Sequence, residues 1–402
     1  MDFRFSSEEE AFRQEVRDFL EQELTPEFRE SLEGRSYSKE FSMRMGAKGW
    51  LSLAWPKEYG GQAKNHMEQL IFNEEMARYK APLEWHRRAS QQHGFAIVLF
   101  GTEEQKKYFI PKIASSELSI ANCMSEPGAG SDLANVKTKA VREGDDYIIN
   151  GQKMWTSGAK YSDYGWMLVQ TSDAESKHKG LSLFLVDLKG QGVEIRPVPD
   201  IRGVAGDVYE YTNQVFLENV RVPGLNLIGG ENRGWYVNAA LMDFERSGIE
   251  AVVSNERIID SLLEYVREYK KEAGPSERLT ILTHKLVQLK IESDISRLLS
   301  YRIAWMQSNG DIPTYQTSMA KVFKTELAKR VANVGMEILG LYGRLGPGSR
   351  ETELGQAKWN ELQHAVSSLF LGSPIGTIAQ GTSEIHRNIM AQRGLKLPRA
   401  QR

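Results

Sequence analysis

The sequence predicts an α+β chain of 402 residues with a helical N-terminal domain, a central antiparallel β domain and a C-terminal four-helix bundle. Three changes of texture predict it. The first third carries apolar residues at helical spacing. The middle breaks into short β-branched and aromatic runs separated by Gly, Asp and Asn. From Gly234 onward long amphipathic patterns return, joined by brief polar loops. The domain limits read from these changes are 1–118, 119–228 and 229–402.

Within residues 7–32, Phe12, Val16, Phe19, Leu20 and Leu24 follow a helical period, and Ser6 or Ser7 can cap the start. Helical patterns continue through Tyr79, and Thr102 reads as the N-cap of the helix in GTEEQKKYFIPKI. From about residue 119, the runs YIING, YGWMLVQT, GLSLFLVDL, GVEIRPV and NQVFLENVRV read as strands, the last ending near Pro223. Residues 234–269, 277–308 and 314–342 read as three long helices linked by EAGPS and NGDIP, and a last helix starts near Thr382.

Composition narrows the function classes. Hydrophobic residues make up 41% and charged residues 26%, as in a globular protein. With 51 basic against 53 acidic side chains, the formal net charge of −2 gives no electrostatic case for nucleic acid or an anionic membrane. The single cysteine, Cys123, excludes an intrachain disulfide and reads as a small buried hydrophobe. The N-terminus is charged from residue 2 and has no signal-peptide core, and the longest apolar run, Phe95–Phe100, is far short of a membrane span. These features predict a soluble, cytoplasmic protein.

The chemistry concentrates in Met124 to Asp132, MSEPGAGSD. Two glycines within three residues let backbone approach a ligand, Pro127 holds the loop open, and Ser125, Ser131 and free N–H groups can donate hydrogen bonds. About two dozen residues on stands KMWTSG, where an aromatic wall precedes hydroxyl donors, as a flat heteroaromatic cofactor needs. Together, SEPGAGSD, NGQKMWTSGA and the C-terminal GTSEIHRNIMAQR resemble the acyl-CoA dehydrogenase flavoprotein family, over essentially the whole chain and in the family's order. The three-domain layout is the one this resemblance implies.

The resemblance implies FAD as cofactor and an α,β-dehydrogenation of an acyl-CoA thioester, with electrons passing to an electron-transfer flavoprotein. In many members the catalytic carboxylate immediately precedes Gly-Thr in the C-terminal motif; here that residue is Gln380, an amide that cannot act as a base. Isovaleryl-type members carry it just before an arginine in the first bundle helix, which matches Glu245 here, with Arg246 near the substrate. If the helix runs unbroken, Glu245 stands beside Leu241, Gly248, Ile249 and Val252, an apolar row where a carboxylate needs either a function or an ion-pair partner. Resemblance places Ser125 at the pyrimidine end of the flavin, Trp155 against the ring, Ser157 near its reactive edge, and Met124 and Thr156 as backbone contacts. Ser131 falls at the CoA contact. Thr382 and Glu384 open the helix that members lay on the FAD. Arg88, Gln92 and His93 are candidate polar contacts for the acyl chain, with a non-catalytic role.

Two departures stand out. The Arg-x-x-Phe-Gly stretch with which many homotetrameric members reach a neighbour's FAD is replaced by KKEAGPSERLT, with Arg278 nearby. Gln-x-Leu-Gly-Gly-x-Gly appears as EILGLYGRLG, with Glu337 at the glutamine and Leu341 at a glycine. Both resemble a bacterial branch that includes subunits of heteromeric steroid-type enzymes, so a tetramer or dimer with an identical or homologous subunit is expected. Two rivals stay open: a flavin oxidase or monooxygenase on the same scaffold, and a non-catalytic partner subunit.

Overall fold

The computed structural model describes residues 4–32, 36–173, 177–199, 201, 212–244, 248–274, 276–344 and 357–399. In the N-terminal third lie helices α1 (Ser7–Glu23), α2 (Pro26–Ser31), α3 (Lys39–Ala47), α4 (His66–Arg78), α5 (Glu84–Arg88), α6 (Phe95–Phe100) and α7 (Glu103–Ala114). Strands β1 (Ile120–Cys123), β2 (Lys139–Glu143), β3 (Asp146–Ser157), β4 (Tyr164–Gln170), β5 (Leu181–Asp187), β6 (Val193–Pro197), β7 (Thr212–Pro223) and β8 (Leu227–Ile228) follow. Helices α8 (Gly234–Phe244), α9 (Ile249–Ala273), α10 (Glu277–Ser308), α11 (Tyr315–Leu339), α12 (Asn360–Ile378) and α13 (Ser383–Ile389) complete the chain. Among the described residues no helix is long and apolar enough to cross a membrane.

Local chemistry sets the boundaries. Ser6 Oγ accepts from Glu9 N at 3.1 Å while Glu9 Oε2 accepts from Ser6 N at 2.8 Å, a reciprocal cap on α1. Thr102 and Gln105 do the same for α7. The single helix expected over 7–32 is two, because Thr25 caps a new start at Pro26, whose missing N–H costs nothing in a first turn. The helix expected over 234–269 is also broken. Gly248 sits at φ +57, in the left-handed region, and α9 begins after it.

Chain contacts gather into two units, one of residues 1–20, 66–80 and 246–402, the other of 21–65 and 81–245. In the first, α9, α10, α11 and α12 form a four-helix bundle around Ile259, Leu262, Leu286, Leu327, Val331 and Val366. α4 packs against α9 and α10. Two acids buried on α4 are matched rather than bare: Arg13 Nη1 donates to Glu74 at 2.8 Å and Glu75 at 2.6 Å, and the Tyr301 hydroxyl donates to Glu74 at 2.9 Å.

In the second unit the sheet runs β6-β7-β3-β2-β4-β5-β8, with β1 added on β4. Among the described residues most pairings are antiparallel, as expected, with two exceptions. β1 pairs β4 in parallel, from Ile120 beside Tyr164 to Cys123 beside Met167, and β2 meets β4 in parallel at Lys139 and Gln170. Alternation sends Leu183 and Leu185 of β5 into a cluster with Trp55, Ile97, Phe109 and Trp166, while Phe184 and Val186 enter another with Ile149, Met167 and Val215. Both faces of β5 are covered, so its sequence reads as an unbroken apolar run.

Candidate functional site

The loop after β1 and the end of β3 are built as one piece. Met154 N donates to Ser125 O at 2.8 Å. Lys153, fully buried, donates from Nζ to Glu126 Oε1 at 2.8 Å, Leu168 O at 2.6 Å and Met124 O at 3.3 Å. Glu126 also accepts from Lys137 N at 2.5 Å and Thr138 N at 3.0 Å. Burial works against both charges, pushing the carboxyl up and the amine down. The Lys153 cation and the backbone donors outweigh burial at Glu126, whose carboxyl stays below the usual range, whereas burial wins at Lys153. This pair is a positioning element that the sequence reading passed over. Its signal was there: Lys153 lies two residues past Gly151 and four past buried Ile149, on the inward face, where a lysine demands an acid.

Pinned this way, the strand presents Trp155. One extra residue in β3 between the Lys153–Val215 and Thr156–Asn213 pairs makes a bulge, and Trp155 takes φ +64 within it. A bulky residue at positive φ is strained, and such strain is held where a side chain has to be aimed. The indole is 59% exposed, while Thr156 beside it is fully buried. Ser125, Met124 and Ser157 are half-buried, and Ser131 is exposed in the loop before the turn Leu133–Asn135. A Cβ built on Gly128 or Gly130 would meet nothing within 4 Å, so the loop leaves open space of its own. The exposed indole offers a face to a flat ring, and Ser125 and Ser157 carry hydroxyls able to donate to one. Cys123 behaves as the small hydrophobe expected, its thiol pushed up to about 12 by burial.

The other candidate cofactor residues fall in the helical unit. Thr382 caps α13 by accepting from Ile385 N at 3.2 Å. Glu384 is held below the usual carboxylate range by its own backbone N–H and the Thr382 hydroxyl, which occupies donors a phosphate would otherwise use. The preceding turn is clamped: Lys321 Nζ donates to Gly381 O at 2.6 Å, and His386 Nε2 donates to Gln380 O at 3.0 Å. Burial, then the neighbouring Lys324, brings Lys321 down to about 8. Glu337 lies near the far end of α11, where it accepts from Lys285 Nζ at 2.5 Å while Arg278 donates to its carbonyl at 2.9 Å. The acid at the glutamine position is thus neutralised, and Arg278 does stand beside it. Arg278 and Glu337, with Glu277, Ile281 and Leu282, line a recess of 460 Å³.

The structure does not bring all these residues together. Lys321, which holds the Thr382 turn, and Glu337 are sixteen positions apart on α11, roughly 24 Å. Glu245 and Arg246 lie outside the described residues. Gly248, a member of the row expected around Glu245, takes φ +57 and lies just before α9 rather than within a helix. Among the described residues no group of His, Cys, Asp and Glu could hold a metal ion.

Comparison with known proteins follows the same order along the chain. Family models match for the acyl-CoA dehydrogenase N-terminal domain over residues 6–117, the middle domain over 121–220 and the C-terminal domain over 232–395. The chain is 36% identical to acyl-CoA dehydrogenase FadE26 of Mycobacterium tuberculosis, covering 100% of both. Among solved structures it resembles a chain of the ChsE4-ChsE5 complex from Mycobacterium tuberculosis, with 36% identity, a TM-score of 0.84 and 100% of each chain covered. It also resembles the Tcur3481-Tcur3483 steroid ACAD, with 29% identity, a TM-score of 0.85 and 100% of each chain covered.

Proposed function

This chain belongs to the acyl-CoA dehydrogenase family and is a flavin-dependent oxidoreductase, and from that premise we propose that it is an FAD-dependent acyl-CoA dehydrogenase using Glu245 as base. The observation that supports the reading is the pinned loop and strand, in which Met154 N–H ties the strand to Ser125 and the Trp155 indole stays exposed. Bound there, FAD supplies the acceptor for the hydride leaving Cβ of the thioester, and an electron-transfer flavoprotein then takes the electrons.

The chain's own residues do the rest. Ser125 and Ser157 hydrogen-bond the ring's polar edges, with Met124 and Thr156 contributing backbone, and the indole of Trp155 covers the ring and excludes water. Ser131 holds the CoA portion of the substrate. Glu245, ionised, removes the proton from Cα, and Arg246 beside it orients the substrate. Gln380 leaves that task to Glu245, because a side-chain amide cannot act as a base. Glu337, Thr382 and Glu384 serve the rest of the cofactor.

Anaerobic titration of the flavin-loaded protein with acyl-CoAs tests this. The visible flavin band is expected to bleach with at least one acyl class, and Glu245→Gln is expected to lower that rate by at least a thousandfold while leaving the flavin bound. Full bleaching in Glu245→Gln sinks the base assignment.

A second reading adds to the first. Because the Thr382 turn and the Arg278–Glu337 recess lie far apart along α11, one phosphate cannot touch both. By likeness to the ChsE4-ChsE5 complex, which has two named components, the chain assembles with a copy of itself or a homologous subunit that completes the cofactor site.

A further inference from the structure

Gln92 and His93, candidate acyl-chain contacts in the sequence, join a polar cluster at β1. Between α5 and α6 the chain makes one π-helical turn, Ala89–Gly94, a distortion found mostly where function requires it. That turn buries Gln92 and His93, at 3% and 0% exposure. His93 Nε2 donates to Asn122 Oδ1 at 2.9 Å, and Asn122 Nδ2 donates to Gln92 Oε1 at 3.3 Å. In this arrangement the amide oxygen meets the His93 N–H and the amide nitrogen meets the Gln92 carbonyl.

Asn122 is the one exposed residue of β1, with Ala121 and Cys123 buried on either side. Asparagine is disfavoured in strands, where a β-branched residue would pack better. Satisfying His93 takes only the carbonyl half of the side chain. Gln92 then holds one amide hydrogen, and the second has no partner among the described residues. His93 Nδ1 and Trp166 Nε1, on rings 5.1 Å apart, are also buried without a hydrogen-bond partner. A polar seam thus runs through an otherwise apolar cluster to the one exposed amide. Asn122 stands two residues before Met124, about 7 Å away along an extended chain.

We propose that Asn122, held by Gln92 and His93, is a specificity-determining residue that donates a hydrogen bond to an oxygen of the acyl chain, so that the substrate is an acyl-CoA bearing a ketone or hydroxyl beyond the reacting carbons. It rests on the dehydrogenase reading, which sets Met124 against the flavin ring and the acyl chain against that ring. Burial, foremost, brings His93 down to about 4, so the imidazole stays neutral and its Nε2–H stays on the Asn122 oxygen at physiological pH. A plain alkyl chain covering Asn122 would strip water from that N–H and return nothing. An oxygen at the same place restores the bond, and sites built to hydrogen-bond a substrate discriminate strongly against analogues that lack the group.

Binding and bleaching, measured separately on the flavin-loaded protein, test the proposal. Calorimetry compares octanoyl-CoA with its oxo analogues, the ketone stepped along successive carbons beyond Cβ. At least one oxo analogue is expected to bind roughly tenfold tighter or more. Asn122→Leu is expected to erase that preference, and Gln92→Met, which frees the amide, to reduce it. Octanoyl-CoA binding as tightly as every oxo analogue, or a preference that survives Asn122→Leu, overturns the proposal. If Asn122→Leu does not fold, Gln92→Met decides, and an unchanged preference there also overturns it. Selective binding without bleaching by any analogue would sink the dehydrogenase reading while still supporting Asn122 as the contact. Equal bleaching by all would do the reverse.

Discussion

The Lys153 ammonium is the most constrained charge in the β unit, fully buried and spent on one carboxylate and two carbonyls. Removing one member of such a pair leaves the other uncompensated, which costs about 3–5 kcal/mol, while removing both into similar volume is often close to neutral. Glu126→Gln and Lys153→Met are each expected to destabilise the protein by that amount, and the double variant by clearly less than their sum. Urea unfolding of the four proteins gives the coupling, and simple additivity would show that the pair acts independently. The stability that Glu126 contributes has a pH sign. Its carboxyl is depressed in the folded state, so the contribution is complete above the ordinary carboxylate value of 4.5 and fades as pH falls through the lower folded value. Flavin retention is expected to fail with the single variants too, since Ser125 and Trp155 hang from this clamp.

At the scale of elements, the sequence was most legible where a cap and a long apolar period agree. α10 spans Glu277–Ser308 as expected because Ser276 Oγ accepts from Leu279 N at 3.2 Å and the pattern never lapses. Reading failed where the deciding quantity is a dihedral or a pairing. Gly248 fits a helical pattern by composition, yet it takes a left-handed φ just before α9 begins. The parallel β1–β4 pairing joins segments some forty residues apart, which period-two alternation cannot report. The motifs of the site were legible as strings, yet their coupling through Glu126 and Lys153, 27 positions apart, was not. The α8–α9 junction carries its own test. A Cβ on Gly248 would lie 1.4 Å from Lys324 Nζ. That lysine end is flexible and can retract, but an L-residue at φ +57 still costs about 1–2 kcal/mol. Gly248→Ala is therefore expected to lower the urea midpoint without changing the slope of the transition. An unshifted midpoint would mean that the left-handed turn is not maintained in solution.

For the whole molecule, α10 argues that a single chain is incomplete. Its buried residues, among them Leu282, Leu286, Leu289, Ser293 and Ser300, occupy one side. Ile281, Val287, Ile291, Ile295, Leu298 and Trp305 are each 40% exposed or more, and at 100° per residue they fall within an arc of about 120° on the opposite side. A helix apolar on both faces expects burial on both. The outer stripe begins at Ile281, which also lines the recess with Arg278 and Glu337, so whatever covers the stripe reaches the expected cofactor-tail residues. Light scattering of the purified chain is expected to give a particle larger than one chain, and Ile291→Glu with Ile295→Glu to reduce it toward one. If the covering subunit is a second copy, the chain expressed alone carries flavin colour and the double variant loses it. A homologous partner makes a different prediction: the chain alone is colourless and gains colour on co-expression with that partner. A coloured wild-type chain that runs as a single copy would overturn both forms of the argument, because the stripe would then be exposed in a complete enzyme.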